Sequence, residues 1–225
     1  MNRGELRSLV YTWLDDQQGI NTNSGGYFTS TQVNTWLNNA QIEVYKRLVK
    51  AAQNYYTKCV QTTMVINQRD YALPEDFKKV MRLEVVVSGV TPNEATANLL
   101  PITTNQRDIV LQGTGTPNFY TILRNKIDVR PAPTLPYVMR MIYTRSVTEM
   151  VSDLNIPDVP SDYQELVALY AARDGFIKDG RVSDLLEKKI MIFEKDMDTD
   201  DQERNQDVPR QIIDTGVSVN EGFYW

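Results

Sequence analysis

The chain has 225 residues, of which 41% are hydrophobic and 24% charged, and its 24 basic and 29 acidic residues give a formal net charge of −5. A chain of this length can bury roughly 70% of its unfolded surface, so it can build a core without disulfides or structural metals. Histidine is absent, and Cys59 is the only cysteine. These counts exclude an internal disulfide, a thiolate zinc site and every nucleophile that depends on a histidine.

Two helices are predicted at the N-terminal end. Five apolar residues recur at helical spacing before the polar loop at 21–26: Leu6, Leu9, Val10, Trp13 and Leu14. A second helix is predicted to begin after Thr29, because Thr29 and Gln32 have the spacing of a capping box and Phe28 and Val33 that of a hydrophobic staple. Its apolar residues recur every three or four positions, which predicts a helix to about residue 53: Val33, Leu37, Ala40, Val44 and Leu48.

Between about residues 58 and 150, β-branched residues, prolines and short alternating runs predict a β region. The stretch 137–144 alternates, and both faces of this strand are expected to be at least half covered. A hairpin is predicted over 119–130, with Arg124 and Asn125 in the turn and Asn125 adopting the positive φ. Several short strands between turn clusters favour an antiparallel sandwich or partial barrel.

Two further helices are predicted after residue 160. Ser161 and Gln164 have the spacing of a capping box, and Gly180 ends the apolar surface that follows. Ser183 is expected to cap the last helix, in which four apolar residues share one face: Leu186, Ile190, Phe193 and Met197. The core is predicted to stop near Met197, because residues 196–207 are too acidic and polar to pack.

Neither helix pair can bury its apolar stripe alone, so the two pairs are expected to meet. The predicted fold is therefore α+β: a discontinuous four-helix bundle from the N- and C-terminal helix pairs, with an inserted antiparallel β-sandwich-like lobe. The boundaries are residues 1–57 and 158–200 for the bundle and 58–157 for the lobe. Residues 201–225 are predicted to form an extended C-terminal arm.

The arm is the candidate partner-binding element, because it has no periodicity of its own and ends in three consecutive aromatic residues. Exposed aromatic and aliphatic side chains are the usual anchors of protein interfaces. Its candidate partner-binding residues are Ile212, Ile213, Val217, Val219, Phe223, Tyr224 and Trp225.

Other local patterns favour structural roles. Asp196, Asp198 and Asp200 have the spacing of a calcium loop, but Asp201 stands where that loop requires glycine, so a hydrated helix end is expected. Cys59 has no histidine partner and is expected to be a small buried residue. No catalytic, cofactor or metal site is predicted. The longest apolar runs are far shorter than the ~20 residues that span a bilayer, so no membrane association is expected.

A series of motifs in chain order resembles the head-to-tail adaptor (connector) proteins of tailed bacteriophages, similar to short-tailed phage adaptors and crAss-like phage ring proteins. The first lies at 36–43 on the second helix, and the second is Tyr-Ala-Leu-Pro-Glu-Asp-Phe at 71–77. Further similar pieces follow at 115–120, 127–133 and 160–163. The resemblance spans about Leu6 to Met197 and does not include the arm.

The resemblance implies a structural virion protein rather than an enzyme. Its partners would be the portal protein, about twelve copies of itself in a ring, tail proteins below, and DNA that passes through the channel without specific binding. Such a protein is assembled in the host cytoplasm and resides at the head-to-tail interface.

Two alternatives from other classes stay open. A carboxylate-dependent, carbohydrate-active tail component would require a deep pocket with converging carboxylates. A nucleic-acid-binding regulator would require a contiguous basic face, whereas this sequence disperses its lysines and arginines.

Overall fold

The computed structural model describes residues 1–16, 26–51, 55–86, 96–106 and 113–204, and within these ranges the chain forms four α-helices, one 3₁₀ helix and ten strands. The helices are α1 (Arg3–Leu14), α2 (Ser30–Ala51), α3 (Gln164–Lys178) and α4 (Asp184–Arg204), and the 3₁₀ helix is Ser161–Tyr163. The strands are β1 (Thr57–Thr63), β2 (Asp70–Ala72), β3 (Phe77–Val86), β4 (Thr96–Asn98), β5 (Leu100–Pro101), β6 (Thr114–Gly115), β7 (Phe119–Leu123), β8 (Lys126–Arg130), β9 (Ala132–Pro133) and β10 (Val138–Arg145). The predicted α+β class, with helices before and after the strands, is confirmed.

Reciprocal side-chain caps begin the first two helices. Asn2 accepts the backbone N–H of Glu5 at 2.9 Å, and the Glu5 carboxylate accepts the backbone N–H of Asn2 at 3.0 Å. Thr29 and Gln32 likewise accept each other's backbone N–H groups at 3.3 Å. The capping box predicted for α2 is therefore confirmed, and α1 contains a second one.

The start of α3 differs from the prediction. Ser161 lies in the 3₁₀ helix and makes no capping bond, so the capping box predicted there is wrong. The Gln164 side chain is engaged elsewhere, because its Oε1 accepts from the N-terminal ammonium of Met1 and its Nε2 donates to a backbone carbonyl at 3.4 Å. The cap predicted for α4 is confirmed, since the Ser183 hydroxyl accepts the N–H of Leu186 at 3.4 Å.

Helix α3 lies at the centre of the helical core. Every residue from Leu166 to Ala172 is buried, because α1, α2 and α4 all pack against this helix. The contact with α1 is close, since a Cβ on Gly175 would lie 2.8 Å from the Leu14 side chain. The apolar stripes predicted on α2 and α4 also enter this core: Val33, Leu37, Ala40, Val44, Leu48, Leu186, Ile190 and Met197.

The strands form two four-stranded sheets and one short pair within the described ranges. The first sheet has the order β1-β10-β3-β4 and is antiparallel throughout. The second has the order β2-β8-β7-β5, in which the two-residue β5 is parallel to β7 and the other pairs are antiparallel. Strands β6 and β9 form the short parallel pair. The alternation predicted for β10 is confirmed, with one face buried: Tyr137, Met139, Met141 and Tyr143.

Two local predictions in the β region are wrong. The hairpin between β7 and β8 is confirmed, but the positive φ, 52°, belongs to Arg124 and not to Asn125. The right-handed twist of the strands demands a left-handed residue at the first turn position, whichever side chain stands there. Cys59 is exposed rather than buried, because β1 is an edge strand with little covering it.

The buried residues form two separate clusters, one helical and one in the β region. The β cluster includes Tyr71, Leu83, Val85, Ile127, Val129, Met139, Met141 and Tyr143. These two cores support our proposed division into a helical bundle (1–57 and 158–200) and an inserted sandwich-like lobe (58–157). Met150 already belongs to the helical cluster, so the chain returns to the helices soon after β10.

Helix α4 is longer than predicted. It continues to Arg204, so the first four residues of the predicted extended arm, 201–204, are helical. Glutamine, glutamate and arginine are good helix formers, so helical propensity favours one further turn. Asp196, Asp198 and Asp200 therefore lie on a helix rather than in a loop.

Replacing Leu37 with alanine tests the helical core. Leu37 has no exposed surface, so Leu37→Ala is expected to lower the free energy of unfolding by about 2–5 kcal/mol, through lost apolar contact and a residual cavity. Chemical denaturation measures this change. The matched control is Leu100→Ala at an exposed position, which we expect to stay within about 0.5 kcal/mol of the wild type. Equal effects at both positions would contradict the assignment.

Candidate interaction surfaces

The seven residues predicted from the sequence to bind a partner lie outside the described residues: Ile212, Ile213, Val217, Val219, Phe223, Tyr224 and Trp225. The described ranges nevertheless present two exposed apolar surfaces that sequence reasoning missed. One is residues 146–160, which join β10 to the 3₁₀ helix and are called here the connecting segment. The other is the α4 outer face, formed by Leu185, Lys188, Met191, Ile192 and Lys195.

The motif at 71–77 positions the start of the connecting segment. Asp76 accepts hydrogen bonds from the Lys58 ammonium at 2.8 Å and from the Tyr143 hydroxyl at 2.7 Å, which links β1 and β10 to the turn before β3. These two bonds, first that of Lys58, lower the pKa of Asp76 below its ordinary value. The backbone carbonyl of Asp76 also accepts the N–H of Ser146 at 2.7 Å. The motif is therefore architectural, because its carboxylate holds β strands together.

Amide side chains of α2 hold the middle of the connecting segment. Asn38 donates to the carbonyl of Met150 at 3.3 Å and accepts the N–H of the same residue at 3.0 Å. Gln41 donates to the carbonyl of Thr148 at 2.9 Å and accepts the N–H of Asp158 at 2.9 Å. Each side-chain amide donates a hydrogen bond to a backbone carbonyl and accepts one from a backbone N–H, as a neighbouring strand would. These backbone groups are therefore hydrogen-bonded although the segment has no secondary structure.

Ion pairs fix both halves of the connecting segment to the rest of the chain. Arg3 and Arg7 of α1 each reach the Asp153 carboxylate at 2.7 Å, and hydrogen bonds from Arg7 and then Arg3 lower the pKa of Asp153 from 3.8 to about 2. Nearer its C-terminal end, Asp158 forms a two-pronged pair with Arg145 of β10. A planar guanidinium that meets both carboxylate oxygens restricts orientation as well as distance.

The connecting segment exposes apolar side chains despite this tight anchoring. Val151 is 75% exposed, Leu154 82% and Ile156 66%. The Asn155 side chain accepts the N–H groups of Val151 and Ser152 at 2.9 and 2.6 Å, which closes a turn at this position. The backbone that carries these three apolar side chains is therefore already fixed. Binding of a partner to them would cost little additional conformational entropy.

The α4 outer face is the second such surface. From Leu185 these residues recur every three or four positions, at 188, 191 or 192, and 195, and so lie along one side of the helix. Leu185, Met191 and Ile192 are each more than 60% exposed. The opposite side of α4 is held on the bundle, since the Tyr170 hydroxyl donates to Glu194 at 2.6 Å and Arg47 pairs with Glu194 at 2.8 Å. Exposed apolar rows of this kind mark interaction sites.

Two grooves flank the connecting segment, and neither favours carbohydrate chemistry. The larger, about 600 Å³, is lined mainly by amides, hydroxyls and apolar groups of α2 and the segment, with Glu149 as the carboxylate among its lining residues. The smaller, about 520 Å³, contains Asp76 and Asp158, which are neutralised by Lys58 and Arg145. A general acid needs a raised pKa, whereas that of Asp76 is lowered.

Three basic side chains of the β region are paired with carboxylates. Lys58 pairs with Asp76 at 2.8 Å, and Arg82 and Arg140 approach the same Glu84 at 2.5 and 3.6 Å. Paired cations do not provide the free positive face that a nucleic-acid regulator would need.

Comparison with known proteins gives a family match over most of the chain. A family model described as the SU10 adaptor protein matches residues 1–213. No curated protein matches the chain. None of the helices in the described ranges has both the length and the apolar character required to cross a membrane.

The ion pairs of Asp153 predict a pH dependence of stability. Its pKa is about 2 in the folded chain against an ordinary value of 3.8. Since the folded pKa is the lower one, the stabilisation is fully present above pH ~4 and is lost as the pH falls from about 4 to about 2. We expect the stability of the wild type to fall more steeply across this window than that of Asp153→Asn, as measured by chemical denaturation at each pH.

A carbon-detected NMR titration of the Asp153 carboxyl tests the cause of this shift. In Arg3→Ala the pKa should rise from about 2 toward 3.8, because one of its two hydrogen-bonding cations is gone. An unchanged pKa in that variant would contradict the contribution of Arg3.

Proposed function

The chain belongs to the SU10 adaptor protein family, a family of phage head–tail adaptors, and on that basis we propose that it is a structural virion protein that forms a ring beneath the portal and connects the head to the tail. The observation that carries the proposal is the match of the family model over residues 1–213, which covers both the helical and the β regions. In this role the chain catalyses no reaction.

The proposed ring contains about twelve copies, extends the DNA channel of the portal and offers a docking surface to tail proteins. The acidic charge of the chain supports passage of DNA without specific binding. With −5 per copy, a ring of about twelve would carry roughly −60 before screening by salt. Binding of DNA phosphates is favourable when basic side chains contact them and release counterions. A negatively charged channel wall would form few such contacts, so DNA would slide through the channel rather than be retained on its wall.

The rigidity of the connecting segment also supports a scaffold role. A ring must keep its docking surfaces in fixed positions while other components attach in sequence. In this chain the ion pairs of Asp153 and Asp158 and the amides of Asn38 and Gln41 fix an irregular segment to α1, α2 and β10. Such pre-organisation reduces the entropy cost of each docking step.

We further propose that the arm at 208–225 binds the portal or a neighbouring copy through Phe223, Tyr224 and Trp225. The segment has no apolar periodicity with which to fold by itself. Fixing the arm in one conformation costs conformational entropy. We expect it to adopt that conformation only where a partner supplies a groove that binds it. Attachment would then depend on the correct partner, and assembly in the host cytoplasm would proceed in order.

Electron microscopy of the chain mixed with the portal protein of its own phage tests the proposed ring. We expect closed rings on the lower face of the portal when the two proteins are mixed, and portals without rings when the chain is omitted. Portals that stay bare at saturating concentrations of the chain would contradict the proposed function.

Deleting residues 208–225 tests the arm. The bundle core ends near Met197, so thermal unfolding should be nearly unchanged, while stable attachment to portal-containing heads should be lost. The control is a full-length chain in which Gln211, Thr215 and Ser218 are changed to alanine; it keeps all seven candidate partner-binding residues and should attach as the wild type does. Normal occupancy of the heads by the truncated chain would show that the arm is not the attachment element.

A further inference from the structure

We propose that residues 212–219 of the arm add a strand to the open backbone edge of β1 in the neighbouring copy of the ring. This inference rests on the proposed ring and the proposed arm, and it names the surface that receives the arm. The occupant of that edge is a second copy of this chain rather than the portal. Each copy would give one strand and receive one.

Strand β1 has an open backbone edge within the described ranges. It stands at the end of its sheet and pairs with β10 alone. The carbonyl of Tyr56 accepts the N–H of Arg145 at 3.0 Å. At the other end, the N–H of Met64 donates to the carbonyl of Tyr137 at 2.7 Å. Because backbone bonds alternate along an antiparallel pair, the even-numbered residues of β1 bond to β10, and the odd-numbered residues direct their N–H and C=O groups outward. These outward residues are Thr57, Cys59, Gln61 and Thr63.

Strand β1 differs from the other edges of the two described four-stranded sheets. Strands β2 and β4 have three residues each, and β5 has two, one of which is Pro101. Short edges and edges with proline resist pairing with another chain. Strand β1 has seven residues, no proline and an uninterrupted register with β10. Its one charged residue, Lys58, is paired with Asp76 at 2.8 Å. The edge of β1 therefore lacks the features that protect a sheet from strand addition.

The surroundings of this edge are open and partly apolar. Six of the seven β1 residues are exposed, and Val60 is half-buried against the β cluster. Val65 and Ile66, which follow β1 closely, are 56% and 51% exposed. An added strand would therefore form backbone bonds and also cover apolar surface, and both contributions favour binding.

The arm contains a stretch with the composition of a strand. Residues 212–219 read Ile-Ile-Asp-Thr-Gly-Val-Ser-Val, and five of these eight residues are β-branched, which favours an extended conformation. The arm as a whole has no period, but four of the five stand at every second position and would share one face of a strand: Ile213, Thr215, Val217 and Val219. A single strand leaves its backbone groups without partners, and the outward groups of β1 would supply them.

A ring explains why this strand comes from a neighbour. Copies related by rotation about a ring axis meet through two different surfaces, so each chain needs one donor and one acceptor. The arm is the donor and the β1 edge is the acceptor. Exchange around a closed ring would use every arm and fill every β1 edge, which leaves no edge to recruit further chains. Seven residues, 205–211, separate α4 from the proposed strand and can span roughly 23 Å when extended.

Cysteine crosslinking in the full-length chain tests this pairing, because Cys59 is exposed on β1 and is the only cysteine in the sequence. A single cysteine is placed in turn at each position from 212 to 219, and the protein is oxidised mildly with copper–phenanthroline. Opposed residues of adjacent strands have Cα atoms about 4.5–5.5 Å apart, within the range that a disulfide bridges. We expect crosslinks to Cys59 at alternate positions only, since every second side chain lies on its face.

The products distinguish a neighbouring copy from the same chain. Exchange between copies should give a ladder of linked chains on a non-reducing gel. Linked monomers would show that the arm pairs with its own β1, which would overturn the inference. Equal crosslinking at all eight positions would overturn it as well. The control is Cys59→Ser in each arm variant, which should lose the ladder.

Replacing Gln61 with proline tests the edge itself. The change removes a backbone N–H that points away from β10, so β1 can stay in its sheet while the added strand loses a bond. We expect the ladder to be lost in Gln61→Pro and kept in the matched control Gln61→Ala, with circular dichroism to check folding. Equal ladders in the two variants would contradict pairing along β1. The cysteine scan decides the pairing if Gln61→Pro does not fold.

Crosslinking of the chain alone and of the chain mixed with portal separates this contact from the proposed function. Rings on the portal that give no ladder would overturn the inference and keep the proposed function. Ladders from the concentrated chain, with portals that stay bare, would keep the strand exchange and contradict the proposed function.

Discussion

The structure depends on the need to cover helix α3 on all sides. Its central residues, Leu166 to Ala172, include four large apolar or aromatic side chains and three alanines with no polar face among them, so no single neighbouring helix can bury it. Helices α1 and α2 from the start of the chain and α4 from its end together supply the cover. Two sequence segments more than 100 residues apart must therefore meet, and the intervening strands are left to build a core of their own.

The connecting segment carries the chain from the β region back to the helical core, which the arrangement of the helices requires. After β10 the chain must return to α3 across α1 and α2, along a path where neither a helix nor a strand satisfies its backbone. Amides from α2 take the place of a strand partner, and Arg3, Arg7 and Arg145 orient the carboxylates. The apolar residues of this segment have no space left inside, so they are presented outward on a fixed backbone. A surface suited to docking follows directly from how the fold closes.

Two of the carboxylates that fix the molecule, Asp76 and Asp153, are poorly suited to act as general acids. Asp76, Asp153 and Asp158 each accept bonds from a cation or a hydroxyl, and the pKa values of Asp76 and Asp153 are lowered as a result. The lowered pKa values keep the Asp76 and Asp153 carboxylates charged near neutral pH, where they orient the backbone and are poor proton donors. This architectural role agrees with membership of the SU10 adaptor protein family.

The sequence by itself determined the helices, their apolar stripes, the cap at Thr29, the β7–β8 hairpin and the family motifs, because these follow from local periodicity and short-range hydrogen bonding. Tertiary structure decided the rest. Gln164 is diverted from its capping role by the N-terminus of Met1, 163 residues away, and Cys59 is exposed because β1 is placed at a sheet edge. The surface at Val151, Leu154 and Ile156 could not be foreseen, since an irregular segment has no period and its exposure depends on ion pairs with distant residues.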